Sequence, residues 1–326
     1  MTARLVSLEA MHSSAPAICV LGDVHGHLQL ALCIAARWQR ALGVAFDAVF
    51  LCGDVGTFTE DSQLDSTTRR HGKANPCELE FLSQWSLRPQ APWLHKIFAP
   101  IDEGGLGLVC PVAMVHGNHE GFTHLATLVS GPLPAVPVGI MELPAVDSAG
   151  HLRYLPSGWK CVTPAGLVVG GIGGIERGQR YADYHALAYL DEAAILHLLE
   201  GGRFDLLITH QGPAAVQGDH GSKALQLLLD AEIARVWCHG HSTPNPVIGT
   251  AGPHGATTVV PLRDIAFASK GPHAEDPGED GWACITFGQD LTVRRERPDF
   301  WRDYRRRKWR QLPDGRLVCP DLAEGV

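Results

Sequence analysis

Five short blocks of this chain carry side chains able to hold a metal ion: Asp23-Val24-His25, Gly53-Asp54, Gly117-Asn118-His119-Glu120, His210 and His239-Gly240-His241. Asp, Asn and His offer the oxygen and nitrogen donors that hard and borderline divalent cations prefer. Asp23, His25, Asp54, Asn118, His210, His239 and His241 suffice for two ions that share a bridging carboxylate. Two cations in one site imply a reaction class, metal-assisted hydrolysis of a phosphate ester. Each block alone is ordinary turn chemistry. Five of them in order, each just after an apolar run, are not.

Those apolar runs are the elements that must position the ligands. Ala17–Leu21 leads into Gly22-Asp23, Ala48–Cys52 into Gly53-Asp54, and Pro111–Val115 into His116-Gly117-Asn118. Leu206–Thr209 precedes His210, and Arg235–Cys238 precedes His239. Short apolar runs bounded by turn residues read as buried strands. Their polar residues then lie beyond the strands' C-terminal ends, where open α/β sheets build sites. Leu28–Leu42 has apolar residues at helical spacing and is expected to be a crossover helix. Cys77–Leu87, Leu190–Leu199 and Ser222–Asp230 are expected to be shorter helices. The glycine-rich Val168–Gly174 stretch is not a dinucleotide fingerprint, because Glu176 stands where a third glycine is required. It reads as a strand end near the site. Trp282–Phe287 and Leu291–Arg295 flank Gly288-Gln289-Asp290 as a hairpin expected to close a second sheet. The predicted fold is α/β, a two-sheet β-sandwich flanked by helices.

The ordered set Gly22-Asp23-Val24-His25-Gly26-His27, Gly53-Asp54, Gly117-Asn118-His119-Glu120, His210 and Gly240-His241 resembles the calcineurin-like metallophosphoesterases. The likeness runs from about Ile18 to His241. It implies a first metal held by Asp23, His25, Asp54 and His241, and a second held by Asp54, Asn118, His210 and His239, with Asp54 bridging. It also implies that His119 contacts the substrate phosphate beside Asn118 and protonates the leaving oxygen, while a hydroxide made available between the cations attacks phosphorus in line. The metals implied are Mn²⁺, Fe or Zn²⁺. Many members continue the second block with an acid or amide and an arginine, but here Gly53-Asp54 is followed by Val55-Gly56-Thr57-Phe58. That departure counts against a protein phosphatase. RNA lariat debranching enzymes look similar around Cys52-Gly53-Asp54, Gly117–Glu120 and Gly170–Ile175, which tilts the expectation toward phosphodiesters. Arg177 and Arg180 are candidates to replace the missing arginine on the phosphate. The alternatives are a phosphomonoesterase acting on a nucleotide, small phosphate or phosphoprotein, and a non-catalytic scaffold on the same fold.

Ligands spread from Asp23 to His241 must meet in one site, so residues 1–326 are expected to form a single domain, with an insertion at 59–107 and a hairpin plus basic tail at 282–326. A hydrophobic content of 45% supports a large core, and the formal charge of −8 gives no general nucleic-acid or anionic-membrane signature. Nine cysteines without a Cys-x-x-Cys pair fit reduced thiols. With no signal peptide or membrane span visible, a cytoplasmic protein is expected. The Phe300–Arg310 segment interleaves arginines with Trp301, Tyr304 and Trp309. This pattern could grip nucleic acid, although packing of the aromatics with solvated or paired arginines is the favoured reading. The phosphate-ester substrate is the expected partner, and the sequence leaves its identity and the oligomeric state open.

Overall fold

A computed structural model describes residues 15–178, 185–243, 246–267, 276–296 and 299–323. In chain order its strands are β1 (Ala17–Leu21), β2 (Phe46–Leu51), β3 (Val112–Met114), β4 (Val138–Gly139), β5 (Leu152–Tyr154), β6 (Lys160–Val162), β7 (Val168–Ile172), β8 (Phe204–Thr209), β9 (Ala234–His239), β10 (Gly249–Ala251), β11 (Thr257–Pro261), β12 (Trp282–Phe287) and β13 (Leu291–Arg294). A small ribbon, β14 (Arg310–Gln311) with β15 (Leu317–Val318), follows. Among the described residues, six strands form one sheet in the order β13-β12-β1-β2-β3-β5. Seven form the other, in the order β10-β11-β9-β8-β7-β6-β4. The runs β1-β2-β3-β5 and β7-β8-β9-β11 are parallel, so the C-terminal ends of the strands in each run share one edge.

Strand parity explains the layering, because alternate residues face opposite sides of a sheet. Ile18, Val20, Phe50 and Val115 of the first sheet meet Leu206, Ile208, Val236 and Cys238 of the second in one buried cluster. The alternate residues Cys19, Leu21, Val49 and Leu51 turn outward against the helix Leu28–Leu42 and its Trp38. On the second sheet, Leu207 and Trp237 turn toward the helices Glu192–Glu200 and Lys223–Asp230. The result is the expected two-sheet sandwich with helices outside.

The helix Leu28–Leu42 spans the range its periodicity predicts and stops at Gly43, whose φ of 65° forms a left-handed cap with its N–H turned back to Arg40 and Gln39. Ser222 caps Lys223–Asp230 by accepting from the Leu225 N–H. The helix expected over Cys77–Leu87 is instead a 3₁₀ turn, Pro76–Leu79, followed by a wide π turn, Phe81–Trp85. There the Ser83 and Ser86 hydroxyls donate to the Leu79 and Leu82 carbonyls at 2.8 and 2.9 Å, competing with a regular ladder. A second difference concerns the β12–β13 hairpin. It closes the first sheet, not the second, because β12 pairs antiparallel with the otherwise open edge of β1.

Tyr304 and Trp309 of the basic tail are buried in the first sheet's outer core, together with Trp85, Leu94 and Ile97 from the 59–107 stretch, and Trp301 is buried as well. Several tail charges are paired: Arg305 with Asp276 at 2.7 Å, and Asp303 with Arg37 at 2.8 Å and Lys308 at 3.0 Å. None of the nine cysteines is in a disulfide, and eight are buried. Among the described residues, no helix is long and apolar enough to cross a membrane.

Candidate metal centre

The C-terminal edges of both parallel runs open on one cavity of about 990 Å³. Its walls include Asp23, His25, Asp54, Asn118, His119 and His241. His210 lies just beneath, fully buried. Its Nε2 is 3.0 Å from Asn118 Oδ1 and 3.6 Å from Asp54 Oδ1, while its Nδ1 donates to the Cys52 carbonyl at 2.9 Å. His25 Nε2 is 3.9 Å from the other Asp54 oxygen, so Asp54 stands between the His25 and His210 sides. Asp23 Oδ2 accepts the His241 N–H at 3.0 Å, and Asp54 Oδ1 accepts the His119 N–H at 2.8 Å.

Backbone geometry shows how tightly these groups are held. His25, Asp54 and His241 have positive φ (40°, 49° and 49°), which non-glycine residues rarely adopt. A Cβ at Gly117 would collide with the Asp54 carboxylate, and one at Gly240 with the Asp23 carboxylate. Glu120 fixes the Asp54 turn by accepting from the Val55 and Thr57 N–H groups at 2.8 and 2.9 Å and from the Thr57 hydroxyl at 2.8 Å.

His241 stands against His210. Its ring lies 4.8 Å from that of His210, and Asp23, His210 and His241 present ligand atoms all within 4.8 Å of one another. His239 sits beneath the cavity wall, its Nε2 buried without a hydrogen-bond partner. Parity in β9 puts Cys238 in the inter-sheet core and Trp237 on the helix side, so His239 also turns to the helix side, packing against Gly212. It is fully buried and does not line the cavity. Burial lowers its pKa to about 4. Beside His25 stands a residue the sequence reading missed, Asp264, with Oδ2 at 3.6 Å from His25 Nε2. It follows β11 as the candidate ligands follow their strands. The run Thr257-Thr258-Val259-Val260 is the sequence signal for that strand.

The electrostatics fit a cation. With its Nδ1–H given to Cys52, a neutral His210 turns its Nε2 lone pair toward the Asn118 and Asp54 oxygens. Acceptors that face one another need a proton or a metal between them. Burial opposes a charge on His210, but Asp23 and Asp54 overcome it and push its pKa up to about 10. The same negative field would hold a divalent ion. Asp23 Oδ1 is buried 3.4 Å from His210 Nδ1, whose N–H is given to Cys52, and so keeps a lone pair for a ligand. Burial, aided by His210, lowers the His241 pKa to about 3, leaving the neutral imidazole that metals bind.

His119 lies outside this ligand set. Its Nδ1 is 3.0 Å from Asp65 Oδ2 and its ring 6.2 Å from that of His25. Burial lowers its pKa, but Asp54 and Asp65 outweigh burial and raise it. Asp65 comes from the 59–107 stretch, where no spacing marked it. The arginines expected to reach phosphate do not line the cavity among the described residues: Arg177 stacks on Tyr189, 4.4 Å from the ring centre, and Arg180 lies outside the described residues. The arginine that does line the cavity is Arg263, with His71, Glu78 and His220 further along the walls.

With this geometry in place, comparison with known proteins identifies the class. The family model for calcineurin-like phosphoesterases matches residues 16–244. The chain belongs to that family, whose chemistry is metal-dependent hydrolysis of phosphoesters. Two solved structures share 14% identity with it. The TT1561 protein of Thermus thermophilus aligns over 86% of this chain and 99% of its own, with a TM-score of 0.47. A conserved uncharacterized protein of Streptococcus pneumoniae, described as a predicted phosphoesterase, aligns over 86% and 88% with a TM-score of 0.32. No curated protein matches the sequence.

Proposed function

We propose that this protein hydrolyses phosphate esters in the cavity above Asp54, using two divalent cations, and that diesters are its better substrates. The observation that carries the reading is the set of buried acceptors facing one another: Asp23, Asp54, Asn118 and His210, with His241 and His25 on either side. When bound, the cations polarise the phosphate and supply a nucleophile near neutral pH. Asp54 would hold both ions and Asn118 would meet the phosphate. His119, whose pKa is raised by Asp54 and Asp65, would give its proton to the leaving oxygen. Gly117 and Gly240 allow the carboxylates their close seats.

The diester preference rests on the second block: Val55-Gly56-Thr57-Phe58 follows Asp54 without an arginine to meet a dianionic phosphate, and a monoester carries about −1.5 to −2 charges at pH 7 against one for a diester. The reading is tested by comparing kcat/KM for bis-p-nitrophenyl phosphate and p-nitrophenyl phosphate under Mn²⁺. Faster diester turnover supports it, and faster monoester turnover replaces it with the phosphatase alternative. Absence of turnover with either substrate and with Mn²⁺, Fe²⁺ and Zn²⁺ in turn leaves the scaffold.

A further inference from the structure

We infer that a second cavity, between the 59–107 stretch and the C-terminal segment, binds a small organic cation, a primary ammonium or a guanidinium, against the Glu80 carboxylate. The cavity measures about 220 Å³, and its lining includes Glu80, Gln84, Asp314, Arg316 and Leu317. That is below the roughly 300–1,000 Å³ of sites for drug-sized ligands, so its occupant is small. It is separate from the metal centre. His71 and Glu78 line the metal cavity, whereas Gly72 and Glu80 line this one, so the segment 71–80 is the wall between them. The inference stands independently of the phosphoesterase reading.

Glu80 is the residue that points to a ligand. It is 1% exposed, and one of its oxygens accepts the Gln29 N–H at 2.9 Å. The other oxygen is buried with no hydrogen-bond partner. Its neighbour, the Cys77 thiol, is at most a weak donor. The Gln29 side chain has nothing left to offer it. Its amide nitrogen donates to Gln84 Oε1 at 3.0 Å and to the Leu317 carbonyl at 3.1 Å, while its Oε1 accepts the Cys319 N–H at 3.0 Å. A glutamine at position 80 would serve the Gln29 N–H equally well, so local packing does not require an acid there. A buried polar atom without a partner calls for an explanation. The cavity that Glu80 lines supplies one.

The chemistry of the lining selects the ligand. Burial disfavours the charged form of Glu80 and pushes its pKa up to about 8. A cation donating an N–H to the free oxygen would satisfy that atom and hold the carboxyl ionised. The cavity's own arginine is engaged elsewhere: Arg316 Nε donates to Asp314 Oδ2 at 2.7 Å, and its guanidinium lies over Trp93, 5.0 Å from the ring centre. Two carboxylates beside one paired arginine disfavour an anion in the same place.

The test is calorimetric titration of full-length protein at pH 8 with methylammonium chloride and with methylguanidinium chloride, beside tetramethylammonium chloride at equal ionic strength. Wild type should bind at least one of the first two probes with one-to-one stoichiometry. Tetramethylammonium, which has no N–H to donate, should not bind. Glu80→Gln should bind the same probe at least about 10-fold more weakly, and should melt no lower than wild type at this pH, which separates a lost contact from a lost fold. Asp54→Ala should bind the probe as wild type does, which places it outside the metal cavity. Absence of binding by both probes, equal binding of tetramethylammonium, unchanged affinity in Glu80→Gln, or loss of binding in Asp54→Ala would each overturn the assignment.

Discussion

Asp65 Oδ2 lies 3.0 Å from His119 Nδ1 while Asp65 Oδ1 caps the helix Ser66–Ala74, accepting the Thr67 and Thr68 N–H groups at 2.8 and 2.9 Å. One carboxylate thus fixes the helix start and orients His119, the histidine proposed to protonate the leaving oxygen. Asparagine is an equally good N-cap. Asp65→Asn should therefore fold normally and keep its metal but lose the charge that raises the His119 pKa. With His119 as the proposed acid, activity should fall as pH rises through its pKa. The alkaline limb of the kcat–pH profile should move to lower pH in Asp65→Asn. An unmoved limb would show that Asp65 serves only as a cap.

Replacing His119 itself should leave metal content unchanged and cost up to about 10²–10⁴-fold in kcat. The loss should be smallest for p-nitrophenyl esters, whose leaving group needs little protonation. An equal loss for substrates with alkoxide and p-nitrophenolate leaving groups would place His119 in another role.

Gly240→Ala adds one methyl group where the Asp23 carboxylate lies. Displacing that carboxylate should weaken metal uptake by about 10-fold or more. The Asp23-to-His241 hydrogen bond would be disturbed as well. Elemental analysis after dialysis checks this; full retention of both ions would mean the loop moves aside without cost.

Glu80 gives a pH dependence of stability separate from the metals. It is buried, accepts the Gln29 N–H at 2.9 Å and leaves its other oxygen without a partner. Burial pushes its pKa up from 4.5 to about 8. In the unfolded chain it ionises near 4.5, so folding stability falls as pH rises from there to about 8, on the order of 1 kcal/mol per unit. Glu80→Gln keeps an acceptor for Gln29 and does not ionise. Its melting temperature relative to wild type should rise across that window and not below it. A constant difference from pH 4 to 9 would contradict this.

The buried tail aromatics make a structural claim as well. Trp309 is 7% exposed and its indole N–H donates to the Tyr304 carbonyl at 3.1 Å. Trp309→Ala should cost about 3–5 kcal/mol in chemical denaturation. A neutral substitution would reopen the view of the tail as a ligand-binding strand.

How much of this was legible in the sequence depends on the kind of signal. Strands carrying Asp23, Asp54, Asn118 and His210 stood out because an apolar run ending in a glycine and a ligand is a local pattern. The histidines on either side of Gly240 look equivalent in sequence, whereas strand parity turns His239 toward the helix side. Asp65 and Asp264 were not visible, since neither belongs to a block with recognisable spacing and both reach the site through tertiary folding. The hairpin's sheet was likewise a matter of which edge stood open, a property of the assembled sandwich.

The most direct measurement follows p-nitrophenolate release from bis-p-nitrophenyl phosphate by chelator-stripped protein as Mn²⁺ is restored, with Asp54→Ala alongside. The account predicts no turnover without metal, recovery that rises with Mn²⁺ in wild type, and none at any concentration in Asp54→Ala. Equal turnover by stripped and restored protein, or by wild type and Asp54→Ala, would contradict it.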